Sequence, residues 1–460
     1  MVEALQRAAR DAGSLSLLEN ADKIAIPRGF WDYKDPGRLV AAAVGATHAR
    51  SEVTEIGVLQ TTLFGRAARD IAEGASDIVL VAGGEARHRA RGMKQAGTPE
   101  NLTNQPDGTT PDVVLRPEND ILSPFEIEAG LLMPVGAYAI MENALRADDA
   151  TDLELHRDQV AQLWSEMSRV AAGNPDAWRP EYIDPETIRN AGPKNAMLNF
   201  PYTKLHNSNW NVDQAAGLIF CSVEAAERAG IPRERWVFPV SVVDSNHMAF
   251  MSERRELHRS HGFALAGERA LSRAGQDASN VAHRELYSCF PSAVRIQQRE
   301  LGFEPDTSTT VTGGMAFAGG PLNNFVLQAL SKMTQVLRED PGALGMVNAV
   351  SGLMTKQGVS LWSTEPRADR FLYEDVGDLS AEAIEPVPVC SDVPTQARIA
   401  GYTVSYKGEA PHTAVLLCDG EDGSRSLLAL PDPDLALRLT REEGCGRDLR
   451  FTSPERAEFV

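Results

Sequence analysis

The sequence predicts an α/β fold made of two copies of one unit, followed by a smaller β region. Helical periodicities alternate with short apolar strands along most of the chain. A pair of segments repeats at an offset of 262 residues: Arg7-Ala8 with Ala12-Gly13 matches Arg269-Ala270 with Ala274-Gly275. Past about residue 378 the pattern changes to short alternating strands with Asp-Gly turns at Asp419-Gly420 and Asp422-Gly423.

The elements follow in order. Val2, Leu5, Ala8, Ala9 and Ala12 share one helix face, and Gly13 is a stop. No strand precedes this helix. Lys23 to Ile26 reads as a short strand, and Asp35 to Val44 as a helix capped by Asp35 and entered at Pro36. Gly57 then heads a helix from about Val58 to Glu73, where Leu59, Leu63, Ala67 and Ile71 recur every four residues, and Asp77 to Ala82 is a buried apolar strand.

From Gly83 to about Asn211 a long polar loop (98–117) and helical stretches at 125–145 and 152–172 read as an insertion. Strands at 215–222, 236–243 and 284–288 then alternate with helices at 223–229, 263–274 and 292–301. The glycine-dense stretch Val311 to Asn324 feeds a helix from Phe325 to Leu337, and Leu344 to Val350 is a strand. Strands at 398–406, 413–418 and 424–430, a helix at 434–439 and Leu449 to Phe451 make up the last region. The expected domains are 1–245, with an insertion at about 84–211, then 246–377 and 378–460.

Composition narrows the function. A chain of 460 residues, 43% hydrophobic and 24% charged, has enough apolar residues for a large core. A net charge of −19 argues against nucleic acid and anionic membranes as partners, and leaves a small anionic ligand to a local basic patch. The five cysteines, Cys221, Cys289, Cys390, Cys418 and Cys445, are widely spaced without a CxxC, which suggests neither a disulfide framework nor a zinc site. With no apolar run long enough to span a bilayer and no export pattern, a cytoplasmic, reduced setting is expected.

Several stretches together resemble the thiolase superfamily. Ile71 to Asp77 followed by Val81-Ala82-Gly83-Gly84 resembles the segment downstream of the thiolase nucleophile. Val212-Asp213-Gln214-Ala215-Ala216 stands where thiolases carry Asn-Asp-Gly-Ala-Ala, Gly313 to Pro321 where they carry GG(x)4GHP, and Tyr287-Ser288-Cys289-Phe290 where they carry NEAF or HDCF. Leu163 to Ala172, Phe200-Pro201-Tyr202-Thr203-Lys204 and Leu286 to Val294 resemble the thiolase-like proteins of type 1, as does the extra C-terminal β region. The resemblance implies a duplicated, five-layered αβαβα fold with an OB-like C-terminal domain. It also implies a strand ahead of the first helix, so a truncated or misassigned start is expected.

The resemblance further implies a cysteine nucleophile at Gly57 and an activating histidine at Gly320, and this chain has neither. Conventional acyl-enzyme chemistry is therefore not expected. Cys289 stands at the HDCF cysteine, Tyr287 and Ser288 lie beside it, and His247 follows a strand that faces the same region. These are the candidate acid/base residues, each weighed against a purely structural role. Gly57, Gly313, Gly314, Gly319 and Gly320 offer backbone donors to a thioester oxygen. Arg87, Arg89, Arg91 and Lys94, with Lys194 and Lys204, are candidates for the phosphates of coenzyme A. The expected ligand is a CoA thioester, with no further cofactor and no metal. The open functions are acyl-CoA binding without cysteine catalysis, a carbon–carbon lyase or transferase using Tyr287 and Cys289, and a scaffold completed by an OB-fold partner. Monomer and homodimer both remain open.

Overall fold

The computed structural model describes residues 1–99, 102–367 and 371–460. The first unit runs α1 (Val2–Ala12), α2 (Ser16–Glu19), β1 (Lys23–Pro27), α3 (Pro36–Val44), β2 (Arg50–Thr54), α4 (Gln60–Ala72) and β3 (Ile78–Ala86). Gly13 closes α1 in the left-handed region at φ 101°, and the Asp35 carboxylate accepts the Arg38 N–H to cap α3. Gly57, also left-handed at φ 104°, lies in a turn before α4 rather than at its head, because Val58 N–H bonds back to Glu55.

The insertion contributes α5 (Arg87–Gln95), β4 (Val113–Leu115), α6 (Pro124–Glu128), α7 (Pro134–Asp148), α8 (Leu153–Ala172), α9 (Pro185–Arg189), β5 (Met197–Asn199) and β6 (Tyr202–Thr203). The helical stretch expected at 125–145 is two helices, broken by left-handed Gly130 and restarted at Pro134. The loop expected at 98–117 carries β4, which pairs with β2; residues 100 and 101 of that loop lie outside the described residues. β7 (Asp213–Cys221) and α10 (Val223–Arg228) return to the α/β pattern.

The second unit runs β8 (Phe238–Ser245), α11 (His261–Ala274), β9 (Val281–Glu285), α12 (Pro291–Leu301), α13 (Phe325–Glu339), β10 (Leu344–Ser351), β11 (Lys356–Ser363), β12 (Leu372–Asp375) and α14 (Gly377–Ala383). Sequence reading did not anticipate β2, β11 or β12, and two expected strands are displaced. β8 starts at Phe238 instead of Trp236 because Trp236 closes a tight turn onto Arg233. β9 ends at Glu285 instead of Ser288, since Leu286 N–H bonds to Thr309 and the chain leaves the ladder. Tyr287, Ser288 and Cys289 therefore lie in the loop beyond β9.

The two sheets share their pairing logic. In the first, order β4-β2-β1-β3-β7, β1 pairs parallel with β3 and β3 antiparallel with β7. In the second, order β12-β8-β11-β10-β9, β9 pairs parallel with β10 and β10 antiparallel with β11. The second sheet continues past β11 with β8 and β12, whereas the first ends at β7. Alternation assigns the faces. Ile24, Ile26, Ile78 and Leu80 pack outward on α1 and α3, while Ala25, Val79 and Val81 pack inward with Leu63, Phe64 and Ala67 of α4 and Val326 and Leu330 of α13. The central helices thus lie between the two sheets.

The last region is β13 (Val389–Cys390), β14 (Gln396–Lys407), β15 (Ala410–Asp419), β16 (Arg425–Leu430), α15 (Pro433–Leu439), β17 (Asp448–Ser453) and β18 (Arg456–Phe459). Sequence reading also missed β13 and β18, strands of two and four residues. β14 also pairs with β5, and buried Asn143 of α7 donates to the carbonyls of Phe200 and Tyr402, tying the insertion to this sheet. No helix among the described residues is long and apolar enough to cross a membrane, and none of their side chains group into a metal site.

Candidate functional site

The stretch from Val311 to Asn324 folds as two tight turns rather than one helix start. Gly314–Ala318 is a single π turn, Leu322–Asn324 is a 3-10 turn, and α13 begins only at Phe325. Buried Glu285 organises the entry: the hydroxyls of Thr310 and Thr312 and the N–H groups of Val311 and Thr312 all donate to its carboxyl. Burial nevertheless pushes this carboxyl up to about 7, since desolvation outweighs the four donors. Ser288 then fixes the turn, its hydroxyl accepting the Met315 N–H at 3.0 Å.

Ser288, Cys289, Gly314 and Gly320 are brought together, but by a segment the sequence did not single out. Ser208 N–H donates to Cys289 O, Asn209 N–H to Met315 O, and Gly320 N–H to Asn209 O. The Ser208 hydroxyl fills the space that a β-carbon on Gly320 would need. Gly313 is packed equally closely on Ala171, and Gly319 on Gln214, so the glycines make room for protein. Of the backbone donors expected to meet a ligand oxygen, those of Gly313, Gly314 and Gly320 are spent on Thr310 and Asn209.

Tyr287 is held through its backbone: its N–H donates to Gln297 Oε1, Gln297 Nε2 donates back to its carbonyl, and Asn348 braces Gln297. Its ring meets Phe325 edge-on at 6.0 Å. Burial raises the Tyr287 hydroxyl well above its ordinary value and pushes the Cys289 thiol up to about 12, so both are neutral near pH 7. A β-carbon on Gly57 would meet Pro117 and Ile121. His247, half-buried beyond β8 and lowered by burial, has no hydrogen-bond partner among the described residues. Below the first turn of α4, Thr61, Thr62 and Tyr373 donate to buried Asp244, which burial still pushes up to about 6.

A second buried network supports the loop. Tyr202 O–H donates to Glu142 and accepts the Ser292 N–H at the start of α12, while Glu142 also meets His156 and Arg295 at 2.9 and 3.0 Å. Burial alone would raise Glu142, but His156 and Arg295 hold it down to about 2. The Phe290 ring stacks on Tyr138 at 4.5 Å. Tyr202 lies in a stretch the sequence flagged, but its partners are 60 and 90 residues away and left no local signal.

The basic run lies on α5. Arg89, Arg91 and Lys94 are exposed, and the Arg87 guanidinium is held between the rings of Phe30 at 4.2 Å and Trp210 at 4.4 Å. Phe30 and Trp210 are 49% and 41% exposed, an uncommon exposure for rings of this size. Trp210 directly follows Ser208-Asn209, so this platform adjoins the segment that seals Gly320. Lys194 and Lys204 share no hydrogen bond or ion pair with α5 among the described residues. A cavity of about 920 Å³ touches none of Gly57, Tyr287, Cys289 or Gly320.

No family model matches the sequence, and no curated protein matches it. Solved structures do. A monomeric SCP2-thiolase like protein type 1 from Mycobacterium smegmatis is 27% identical, with all of this chain and 95% of that one covered at a TM-score of 0.83. The Ltp2-ChsH2(DUF35) aldolase is 16% identical over 79% of this chain and 92% of its own, at 0.58. The dimeric peroxisomal thiolase of Saccharomyces cerevisiae is 15% identical over 79% and 89%, at 0.54. The chain has the thiolase-superfamily fold, shared over its whole length with the type 1 protein.

Proposed function

We propose that this thiolase-superfamily chain binds coenzyme A or an acyl-CoA and does not form an acyl-enzyme. The observation that carries the reading is Arg87 between exposed Phe30 and Trp210, at the start of a helix bearing Arg89, Arg91 and Lys94. Exposed rings suit an adenine face, and clustered guanidinium and ammonium groups suit phosphates. On a chain of charge −19 such a cluster is a local attractor for a small polyanion.

Three features support the absence of cysteine chemistry. No cysteine precedes Cys221 in the sequence, Ser208 fills the place of an activating side chain on Gly320, and Cys289 is a neutral buried thiol. The same burial weighs against Tyr287 and Cys289 as an acid/base pair in a carbon–carbon lyase. The reading calls for no metal and no cofactor beyond the CoA thioester. Calorimetric titration with CoA and acetyl-CoA tests it: binding that quenches tryptophan emission is expected, and no heat up to millimolar ligand would refute it.

A further inference from the structure

Among the described residues two lysines are almost wholly buried, and they are treated differently by their surroundings. Lys23, 8% exposed, meets Glu52 at 3.4 Å and Asp70 at 2.6 Å. Lys356, 4% exposed at the start of β11, has no hydrogen bond or ion pair among the described residues. An ammonium buried only for stability needs such a partner, because its desolvation is otherwise uncompensated. Burial lowers Lys356 from the ordinary lysine value, against the opposing pull of Glu118, Asp375 and Asp244.

The strand sets the face on which this amine lies. A β-carbon on Gly358 would meet the Thr61 hydroxyl of α4 and Asp244 of β8, so Lys356, two residues earlier on β11, shares that inward face. Two of the carboxyl groups in its reach are engaged elsewhere. Asp244 accepts the hydroxyls of Thr61, Thr62 and Tyr373, and Asp375 accepts the N–H groups of Asn246 and Gly377. The third, Glu118, lines an open cleft of about 410 Å³ with Glu55, Arg116, Pro117, Asn119 and Asp120. The turn leading into β11 is fixed as well: buried Met354 is held at φ 55°, Arg254 donates to the Leu353 carbonyl, and the Thr355 hydroxyl donates to the Ser351 carbonyl.

We propose that Lys356 is an imine-forming amine that takes a neutral ketone or aldehyde entering through the cleft at Glu118. The nitrogen attacks the carbonyl carbon, a C=N bond replaces the C=O bond, and the carbonyl oxygen leaves as water with the two amine protons. The imine then draws electrons from the adjacent carbon, which loses a proton to give an enamine. Three carboxyl groups within electrostatic reach repel a carboxylate or phosphate at this amine, so the reacting end of the substrate is uncharged. The site does not depend on the coenzyme A platform of Phe30, Arg87 and Trp210.

The test is reductive trapping: the full chain at pH 7 is incubated with acetone and sodium cyanoborohydride, without coenzyme A, and N-isopropyl lysines are located by peptide mass spectrometry. Lys356 is expected to carry the adduct at an occupancy about tenfold or more above the exposed Lys94 and Lys407, while paired Lys23 stays unmodified. In urea the preference for Lys356 disappears, and Lys356→Met removes the adduct from that peptide. Pyruvate in place of acetone gives a smaller ratio of Lys356 to Lys94 labelling, because its carboxylate meets the acidic surroundings. Native labelling of Lys356 no greater than that of Lys94 overturns the proposal, and so does a preference that survives in urea. An equal ratio with pyruvate overturns the assignment to a neutral carbonyl compound. Because no coenzyme A is present, none of these outcomes bears on the binding reading above.

Discussion

The hydroxyl of Ser208 occupies the space beside Gly320 that any side chain there would need. The glycine has no left-handed φ, so the constraint is steric rather than conformational. Gly320→Ala therefore destabilises by about 1–3 kcal/mol through overpacking. Ser208→Gly in the same chain recovers part of that loss. Urea unfolding of both single variants and the double variant gives the coupling; strict additivity would show that the two positions do not compete. Gly320→His in the parent chain yields no thiolase activity.

The acidic groups under the site make stability fall as pH rises. Glu285 is raised from 4.5 to about 7 and Asp244 from 3.8 to about 6, so each binds its proton more tightly folded than unfolded. Their contribution is fully present below about pH 4 and is lost as pH rises to about 7, by up to about 1.4 kcal/mol per unit for each group. Glu285→Gln flattens this slope by about one proton in denaturant titrations between pH 4.5 and 7.

Glu142 has the opposite sign. It is lowered from 4.5 to about 2, so its contribution is present above about pH 4.5 and is lost as pH falls towards 2. Glu142→Gln leaves His156 and Arg295 without their carboxylate and costs about 3 kcal/mol or more. The thermal midpoint of the variant at pH 7 checks the size, and a weaker acid dependence checks the cause.

Cys289 is a buried thiol pushed up to about 12 and has no thiolate character at pH 8. Iodoacetamide leaves it unmodified in the native chain and modifies it in denaturant, as peptide mass spectrometry reads. Rapid native labelling would show an activated cysteine.

The ligand platform predicts its own variants. Trp210→Ala and Arg87→Gln each weaken CoA binding about tenfold or more, while Tyr287→Phe leaves it unchanged. Dephospho-CoA binds more weakly than CoA if the basic run meets the 3′-phosphate. Loss of binding in Tyr287→Phe would instead move the ligand into the glycine turns.

By itself the sequence determined the architecture. Alternation and helical period are local, so α1, α3, β3 and α13 were legible within a few residues, and the 262-residue repeat foretold that two units match. The glycines at 57 and 320, where the thiolase resemblance implies a nucleophile and a base, are also written in the chain. Only the tertiary structure decided what fills those places, because the contacts join residues far apart. Ser208 closes on Gly320 across more than a hundred residues, Glu142 meets Arg295 through an insertion helix, and Phe30 and Trp210 enclose Arg87. Such partners have no period or spacing to betray them, since packing is set by where the sheets and helices come to lie.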